Sequence, residues 1–556
     1  MLTVTFVLPG CATIPVVTGF GWELSHVTVC PVDGVSVGVQ AARAGSAGQT
    51  SAVVVSAKAE AVERKLVRII DVFRTQRAKL AIRDDAWQAA QPTIGATIQM
   101  RWRDWGNRFI FDRCPKDTAV NLAPHERVNR SEPFSAEIEE HVQEDAMTTG
   151  AASHQWPAEG LTRVPYWAYS DSGIYEEEQA RIFRGPTWNF LCLEAELAHP
   201  NSYRRSSLGE MPVVVTRDKD GELHAFENRC AHRGSLLVLN ESGEARDITC
   251  VYHNWSYDLC GNLTGVAFRK GLRGKGGMPP ECRPETHGPR KLKLEVLAGL
   301  IFGTLSAEAP PLAQYLGAEI VTRIRRVMRA PVKVLGGYSQ MLPSNWKLYM
   351  ENVKDTYHAS LLHTFFTTFR LNRLSQQGGI VVSDSGGHHV SYSLAADSGG
   401  KEYEQAGMRA AQEGFGLEAP QVLEAVDEFG DGIGLQILSV FPTFVLQQTR
   451  NSLAVRRLVP QGLDKTELIW TCFGFTSDDA EMTERRLQQA NLIGPAGYIS
   501  MEDGAAPGFV QRAVTTAADL LSVVEMGGAS VASDDNRVTE AAVRGFWKAY
   551  RGYMGL

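Results

Sequence analysis

The fold of this chain is decided by two stretches, Cys230-Ala231-His232-Arg233-Gly234 and Cys250-Val251-Tyr252-His253, with seventeen residues between His232 and Cys250. Each arm supplies one thiolate and one imidazole. Two Cys and two His ligands can bind either an iron–sulfur cluster or a single zinc ion. The order in which the ligand types follow one another distinguishes these two centres.

Arms that mix one Cys with one His favour a Rieske [2Fe–2S] cluster, which takes two Cys on one iron and two His on the other. Zinc fingers usually group like ligands, as Cys-x2-4-Cys and His-x3-5-His. We therefore predict that Cys230 and Cys250 hold one iron and that His232 and His253 hold the second. Imidazole ligands raise the reduction potential to roughly −150 to +300 mV, so the centre would relay electrons. The remaining alternative is two unrelated Cys/His pairs.

A second group of candidate ligands is Asp355, His358 and His363, spaced as Asp-x2-His-x4-His. Non-haem Fe(II) oxygenases bind iron through two His and one carboxylate on one face. Five residues of an ideal helix rotate by about 140°, so both rings reach one metal only if the helix ends or distorts between them or the side chains lean inward. We expect Asp355 to share a helical face with His358 and to accept the proton of its second ring nitrogen. Taken alone, such a His pair more often means two ordinary histidines.

The two groups together resemble the large (alpha) subunit of Rieske non-haem iron ring-hydroxylating oxygenases, in which both motifs occur in this order. The resemblance runs from Trp156 to the C-terminus, about 400 residues, and is closest to the terephthalate, anthranilate and ortho-substituted benzoate branch of the family. The stretches that carry it include Phe226-Glu227-Asn228-Arg229-Cys230, Leu438-Ser439-Val440-Phe441-Pro442 and Arg544-Gly545-Phe546-Trp547-Lys548-Ala549-Tyr550.

The resemblance implies several residue roles. The third iron ligand follows a Gly-Pro-Ala-Gly stretch, here at 494–497, and is assigned to Asp503, with Glu502 as the alternative. Three alpha subunits form a ring in this family, as α3 or, with a small beta subunit, α3β3. Asp355 would bridge a histidine on the mononuclear iron of one subunit and a histidine on the cluster of the next. Electrons would come from NADH through a reductase, with or without a ferredoxin.

The expected substrates are O2 and an aromatic carboxylate. A carboxylate needs a cation, and the Arg guanidinium offers a two-pronged donor that Lys lacks. Arg456 and Arg537 stand where terephthalate-type enzymes carry carboxylate contacts, which favours a dicarboxylate. The alternative for Arg456 is an ordinary strand arginine, and for Arg537 it is a salt bridge at a helix start or an interface. The function predicted is cis-dihydroxylation of terephthalate or a similar benzoate. Open alternatives are an anthranilate or ortho-substituted benzoate dioxygenase, a salicylate-type monohydroxylase, and a Rieske electron-transfer protein with a degenerate second site.

The pattern of segments predicts an α+β fold with a small all-β Rieske domain and a larger catalytic domain. The Rieske domain should span 186–300, with a hairpin across the turn at 218–221 and the cluster at the tips of two loops. The catalytic domain should comprise 156–185 and 301–556, with strands such as 434–441 and helices such as 480–491. The family implies a central antiparallel sheet flanked by helices.

Composition describes an ordinary soluble globular protein: 556 residues, 44% apolar and 21% charged. A net charge of −7 argues against a nucleic-acid partner, and no apolar run is long enough to span a membrane. Nine scattered cysteines are not a disulfide framework, so we expect a cytoplasmic protein. Cys260 and Cys282 are interpreted as spare thiols, and the adjacent His388 and His389 as structural or pocket-lining residues without a ligand role.

Residues 1–146 show no motif and no counterpart in the family; only a helix-like segment at 57–84 stands out. Met147 opens directly onto the part that resembles the oxygenases. We therefore expect that translation begins at Met147 and that the preceding segment is poorly ordered if it is made. A genuine appended domain is the alternative.

Overall fold

A computed structural model of the chain describes residues 154–556 except 370, 396–401, 406–416 and 496, together with seven strands between residues 2 and 112. Contacts divide the chain into two units, residues 1–150 and 151–556. The helix expected at 57–84 lies outside the described residues. The strands of the first unit, which the sequence did not predict, form sheets in the orders β2-β1-β4-β3 and β5-β6-β7. They are β1 Leu2–Val7, β2 Ile14–Thr18, β3 Val27–Val32, β4 Val35–Ala41, β5 Ala52–Val55, β6 Ile98–Arg101 and β7 Ile110–Asp112.

Three small antiparallel sheets make up the region of the predicted Rieske domain, in the orders β12-β11-β10-β13, β14-β15-β16 and β17-β18-β9. The predicted hairpin is present: β11 pairs with β12 from Val213↔Glu227 to Arg217↔Leu223. The strands are β9 Asn189–Leu193, β10 Ser202–Leu208, β11 Met211–Arg217, β12 Leu223–Glu227, β13 Ser242–Glu244, β14 Ile248–Thr249, β15 Ser256–Tyr257, β16 Leu263–Gly265, β17 Lys293–Leu297 and β18 Leu300–Thr304.

A seven-stranded antiparallel sheet forms the centre of the catalytic region, in the order β19-β25-β24-β23-β22-β21-β20. Its middle strands are buried along almost their whole length, as expected of a sheet that is covered on both faces. The strands are β19 Val332–Leu342, β20 Gly378–Val382, β21 His389–Leu394, β22 Ile433–Val440, β23 Phe444–Thr449, β24 Ser452–Pro460 and β25 Thr466–Phe475.

Helices flank this sheet and close the core. Asn345 begins α5 by accepting a hydrogen bond from the Lys347 backbone N–H, and Asp479 caps α9 in the same way. The helices are α1 Trp167–Ser170, α2 Ser172–Glu178, α3 Leu312–Leu316, α4 Ala318–Val327, α5 Trp346–Lys354, α6 Ala359–Leu362, α7 Thr364–Thr368, α8 Glu402–Gln405, α9 Ala480–Ile493, α10 Ser500–Val514 and α11 Ala541–Met554. Shorter 3₁₀ segments are Gly160–Thr162, Glu194–Leu197, Pro284–Thr286 and Pro420–Leu423, with a π-helical turn at Gln179–Phe183.

The segment before the Rieske region packs into the catalytic core. Its strand β8, Arg163–Pro165, pairs with β26, Leu521–Val523, near the C-terminus. The Trp156 and Trp547 rings lie 5.4 Å apart in the main hydrophobic cluster. The predicted α+β fold, with an antiparallel central sheet and flanking helices, is therefore confirmed. None of the helices in the described part of the chain has the length and apolar character needed to cross a bilayer.

Candidate metal centres and active-site cavity

Two loops present the four predicted cluster ligands, one after β12 and one between β14 and β15. The thiols of Cys230 and Cys250 are buried, whereas His232 and His253 lie at the outer side of the loops. The two imidazole rings have centroids 4.4 Å apart, and His232 stacks on Trp255 at 4.7 Å. An inner pair of sulfurs and an outer pair of imidazoles is the arrangement that a Rieske cluster requires.

Backbone hydrogen bonds hold both loops in matching turns. In the first, Gly234 N–H donates to the Cys230 carbonyl at 2.9 Å, with Gly234 at a φ of 74°. In the second, Asn254 N–H donates to the Cys250 carbonyl at 3.0 Å, with Asn254 at a φ of 54°. Glycine and asparagine are the residues that tolerate this left-handed conformation. The Tyr257 hydroxyl, 3.2 Å from the Cys230 sulfur, adds a side-chain contact.

The donors around the Cys250 sulfur favour its thiolate. Burial opposes ionisation, but backbone N–H groups of Tyr252 and His253 and the Cys230 side chain hold the pKa of Cys250 below its usual value. Because metal-bound cysteines are thiolates, these four residues fit a [2Fe–2S] cluster. Their assignment as its ligands remains a prediction.

The second group of ligands lies where helix α5 gives way to a short helical turn. Helix α5 ends at Lys354, and α6 has His358 directly before it and His363 directly after it. This turn ends at Leu362, so His358 precedes it and His363 lies just beyond its end in a non-helical conformation, which agrees with the expectation that the helix ends before the second histidine. The α10 helix brings Glu502 and Asp503 to this point in its first turn, where the helix dipole favours acidic residues.

Three side chains converge on one point. The Asp503 Oδ1 atom lies 3.1 Å from His363 Nε2 and 3.3 Å from His358 Nε2. The three ligand atoms lie within 4.8 Å of one another. Asn352, which sequence reasoning missed, places its amide nitrogen 3.3 Å from Asp503 Oδ1 and 3.4 Å from His358 Nε2. It stands in the same run as Asp355 and His358, but an asparagine carries no signal of its own.

Carboxylates also meet the outer nitrogens of both rings. Asp355 Oδ2 lies 3.3 Å from His358 Nδ1, and Glu502 Oε2 lies 2.7 Å from His363 Nδ1. The expectation that Asp355 and His358 share a helical face was wrong, because Asp355 is extended beyond the end of α5. A turn makes the contact instead, in which Asp355 Oδ1 accepts the backbone N–H of Tyr357 at 2.8 Å. Glu502, the alternative ligand, contacts the side of His363 that faces away from Asp503.

Electrostatics at this point fit a cation. Burial disfavours charged imidazoles, yet Asp355 and Asp503 raise the pKa of His358 to about 10. Burial would raise the pKa of Asp503, but His363 and His358 hold it well below its usual range. The His358 ring thus carries a proton toward an ionised carboxylate, and a divalent metal would replace that proton. Two His and one carboxylate around one point is the donor set of non-haem Fe(II).

A cavity adjoins this point, with an empty volume of about 620 Å³ that is partly open to solvent. His358, His363 and Asp503 lie in its wall together with both predicted arginines, Arg456 and Arg537. Aromatic and aliphatic side chains supply much of the remaining lining, among them Phe366, Leu435, Ile437, Trp470 and Ile493. The cavity thus combines an apolar part with polar and charged groups that converge on it, and such concave sites commonly bind small molecules.

The two arginines differ in how many of their guanidinium N–H groups already donate hydrogen bonds to other residues of the protein. Arg456 donates through Nη1 to the Tyr349 hydroxyl at 3.1 Å and lies 4.6 Å over the Trp470 ring. Arg537 donates through Nη1 to Asn372 Oδ1 at 2.7 Å and through Nη2 to backbone carbonyls of the 373–376 turn. The Nε atom of each arginine is buried without a hydrogen-bond partner. Arg457 points to the opposite face of β24, as strand alternation predicts.

The residues to which no role was assigned are also placed. His388 contacts the Tyr315 carbonyl at 2.9 Å, and His389 contacts Ser439 Oγ at 2.7 Å; both are buried in the core. Cys260, interpreted as a spare thiol, lies 3.4 Å from His224 Nε2. Within the described residues no cysteine is in a disulfide.

Comparison with known proteins agrees with this geometry. Residues 187–273 match the Rieske [2Fe-2S] domain, and residues 322–555 match the ring hydroxylating alpha subunit catalytic domain. The chain is 56% identical over 403 residues to the terephthalate 1,2-dioxygenase terminal oxygenase component subunit alpha 2 of a Comamonas species, covering 72% of this chain and 97% of that protein. It is 44% identical over 407 residues to the anthranilate 1,2-dioxygenase large subunit of Burkholderia cepacia, covering 73% and 96%.

Among solved structures, naphthalene 1,2-dioxygenase from Rhodococcus sp. bound to indole superposes with a TM-score of 0.60 at 22% identity, over 71% of this chain and 96% of that one. A structural likeness at 22% identity shows only that the fold is shared. The two sequence relatives show the family. The chain therefore belongs to the alpha subunits of Rieske ring-hydroxylating oxygenases, with a Rieske [2Fe–2S] domain ahead of a mononuclear-iron catalytic domain.

Proposed function

We propose that this protein is the terminal oxygenase of a multicomponent system that hydroxylates an aromatic carboxylate, with terephthalate as the preferred substrate. The observation that carries the substrate class is Arg456, a cation that is 4% exposed and lies in the wall of the same cavity as His358, His363 and Asp503. In the described part of the chain no Asp or Glu lies within salt-bridge distance of it. A buried charge without a counter-ion is costly, and a substrate carboxylate would offset that cost.

Contacts within the protein fix the Arg456 guanidinium in one orientation, in which it would bind such an anion. The Trp470 ring covers one face of its guanidinium, and the Tyr349 hydroxyl occupies one Nη group. The Nε–H is left without a partner. A guanidinium fixed in one orientation loses little freedom when it binds a planar carboxylate through two parallel hydrogen bonds.

Arg537 would contact a second carboxylate at another part of the cavity wall. Its Nη groups already order the 372–376 turn, so the unpartnered Nε–H is the donor that remains for a substrate. This makes Arg456 the main anchor and Arg537 the group that favours a dicarboxylate. Apolar residues such as Phe366, Leu435 and Ile437 would hold the ring between them and exclude water.

Bound at the predicted ligands, a mononuclear Fe(II) would supply the chemistry of O2 activation and a Rieske cluster would supply the electrons. We assign His358, His363 and Asp503 to the iron and Cys230, Cys250, His232 and His253 to the cluster. Asp355 and Glu502 would orient the two histidines through their outer nitrogens. Asp355 would in addition connect His358 to the cluster of a neighbouring subunit.

The same proposal includes the partners of the chain. Electrons would come from an NADH-dependent reductase, directly or through a ferredoxin, and the alpha subunits would form α3 or α3β3 rings. None of the six cysteines of the described residues is in a disulfide, which suits a reducing compartment, so we propose a cytoplasmic location. These partners are supported by the family to which the chain belongs.

A single-turnover experiment tests the proposed substrate. The reduced protein, with any cognate beta subunit, is mixed with O2 and equimolar terephthalate, anthranilate, salicylate and benzoate, and the product is identified by mass spectrometry. The proposal predicts a terephthalate cis-dihydrodiol. A product from anthranilate or salicylate would refute the dicarboxylate preference, and no product from any carboxylate would refute the substrate class.

A further inference from the structure

A third cluster of metal-ligating side chains lies in the Rieske region, apart from the four cluster ligands. The Asp218 Oδ2 atom lies 2.9 Å from His224 Nε2, and the Cys260 sulfur lies 3.4 Å from the same nitrogen. The sulfur is 4.0 Å from Asp218 Oδ2. All three side chains are partly exposed, so an ion in solution can reach them.

Two turns of the same construction position the acid and the thiol. Asp218 opens the turn between β11 and β12, and its Oδ1 accepts the backbone N–H of Asp220 and of Glu222, each at 2.9 Å. Because Oδ1 is held in this way, Oδ2 is directed toward His224. The register between these strands sets Thr216 opposite His224 and so places the imidazole beside the turn.

The second turn lies between β15 and β16. Asp258 Oδ1 accepts the backbone N–H of Cys260 at 3.0 Å and of Asn262 at 2.8 Å. The Thr216 hydroxyl donates to the Leu259 carbonyl at 2.5 Å and ties this turn to the first hairpin. The cluster of Asp218, His224 and Cys260 is therefore built on two braced turns, and rigid support of this kind is what a defined ligand geometry requires.

We infer that Asp218, His224 and Cys260 form a binding site for a borderline-soft divalent cation of the zinc class, with water as the fourth ligand. A thiolate, an imidazole and a carboxylate are the three ligand types that Zn²⁺ accepts. Hard cations such as Ca²⁺ and Mg²⁺ prefer oxygen ligands and do not favour a sulfur ligand. This site is independent of the proposed oxygenase function.

Two other interpretations of these residues are weaker. An ordinary Asp–His salt bridge accounts for the contact between Asp218 and His224, but not for the thiol directed at the same nitrogen. An Asp–His–Cys nucleophile has to form its thiolate unaided, although partial burial and the charges of Asp258 and Asp218 raise the pKa of Cys260. A divalent cation would itself deprotonate the thiol that coordinates it. A cation accounts for all three contacts.

A cation here would brace the cluster-binding region. The second turn follows Tyr257, whose hydroxyl lies 3.2 Å from the Cys230 sulfur. Leu259 belongs to the same hydrophobic core as Cys230 and Cys250. Linking the two turns through a metal would therefore stabilise the structure around one predicted cluster ligand, and we expect zinc to raise the midpoint of thermal unfolding.

The test is zinc binding to the iron-loaded protein. Samples are incubated with Zn²⁺, freed of excess metal and analysed for zinc and iron by mass spectrometry, and the zinc ligands are determined by X-ray absorption. The parent is compared with Cys260→Ser and with Cys282→Ser, a substitution of the other thiol that is partly exposed among the described residues. Unchanged iron and labile sulfide contents show that zinc has not displaced the cluster.

We predict one tightly held zinc with a single sulfur ligand at about 2.3 Å in the parent and in Cys282→Ser. Cys260→Ser should lose that sulfur ligand and bind zinc at least about tenfold more weakly, since even outer partners of a metal site cost 10–100-fold. If Cys260→Ser loses its cluster, His224→Gln serves for the same comparison. Zinc without a sulfur ligand in the parent, or equal zinc in all variants, would overturn the site.

Discussion

Glu502 accepts a hydrogen bond from His363 Nδ1 across 2.7 Å, on the side of the ring opposite to Asp503. Glu502 and Asp503, which are adjacent in the chain, thus contact the two nitrogens of the His363 ring. A carboxylate on the outer nitrogen fixes the tautomer and makes the inner nitrogen a better metal ligand. The pair therefore has separate roles, with Asp503 as the candidate ligand and Glu502 as a positioning residue.

Replacing Glu502 with Gln should weaken iron binding at the mononuclear site by about tenfold, because the outer partner loses its charge. The measurement is the iron retained after dialysis against a chelator, with the cluster's optical spectrum as an internal standard. Glu481→Gln, at a glutamate that is 82% exposed, is the control. Equal iron retention in the two variants would contradict the role given to Glu502.

Replacing Asp355 with Asn should leave both metals in place but stop coupled turnover. An amide oxygen can still accept the Tyr357 backbone N–H, so the turn is kept, while the charge beside His358 Nδ1 is lost. Metal contents and product formed with NADH and the reductase are measured on the same sample. Product formation at the parent's rate would refute an electron-transfer role for Asp355.

The arginines make separable predictions for binding. Arg456→Gln should weaken terephthalate and benzoate alike, whereas Arg537→Ala should weaken terephthalate roughly ten- to a hundredfold and spare benzoate. These factors correspond to about 1.5–3 kcal/mol for hydrogen bonds to a charged group. Dissociation constants are compared with those of Arg457→Gln, in which the neighbouring arginine on the opposite face of β24 is changed. Equal losses for both acids in Arg537→Ala would return that residue to a structural role.

Lys354 should make stability depend on pH. Burial lowers its pKa to about 7, and the Gly387 carbonyl and Ser439 hydroxyl are its hydrogen-bond partners. Below pH 7 the lysine is charged in both the folded and the unfolded protein, so the free-energy cost of burying the charge is fully present. Between pH 7 and the ordinary value of 10.5 only the unfolded state holds the proton, so stability rises with pH.

Lys354→Met removes this effect. The variant's unfolding midpoint, relative to the parent's, should be highest near pH 6 and should fall as the pH rises toward about 10. In the parent the nearby His388 does not titrate in this range, because burial and the charge of Lys354 lower its pKa to about 3; burial, the larger of the two causes, is retained in the variant. The exposed Lys465 provides the control Lys465→Met. A difference that stays constant with pH would contradict the buried-charge account.

The cluster loops were predictable because each places a Cys and a His within a few residues of each other. The end of the helix before His363 was among the arrangements that helical geometry predicted, since an uninterrupted ideal helix would turn the two rings about 140° apart. Asp503 was different. It lies 140 residues from His363 in the chain, and only resemblance selected it among 63 acidic residues.

Other contacts could not be predicted from the sequence, for physical reasons. Adjacent acids on a helix point in different directions, and the sequence alone does not tell which of Glu502 and Asp503 points inward. Asp218, His224 and Cys260 meet across two turns separated by more than thirty residues, so no local spacing reveals them. Asp355 does lie 3.3 Å from His358 Nδ1, but a turn rather than a helical face brings it there, and this nitrogen is left without the hydrogen bond that was expected.

The central claim is that one chain holds a four-ligand cluster site and a separate three-ligand iron site. Iron and labile sulfide per chain test it most directly, measured for the parent and for Asp503→Ala. The account predicts about three iron atoms and two sulfides in the parent, and about two of each in the variant with an unchanged Rieske spectrum. Two irons in the parent, or three retained by Asp503→Ala, would contradict it.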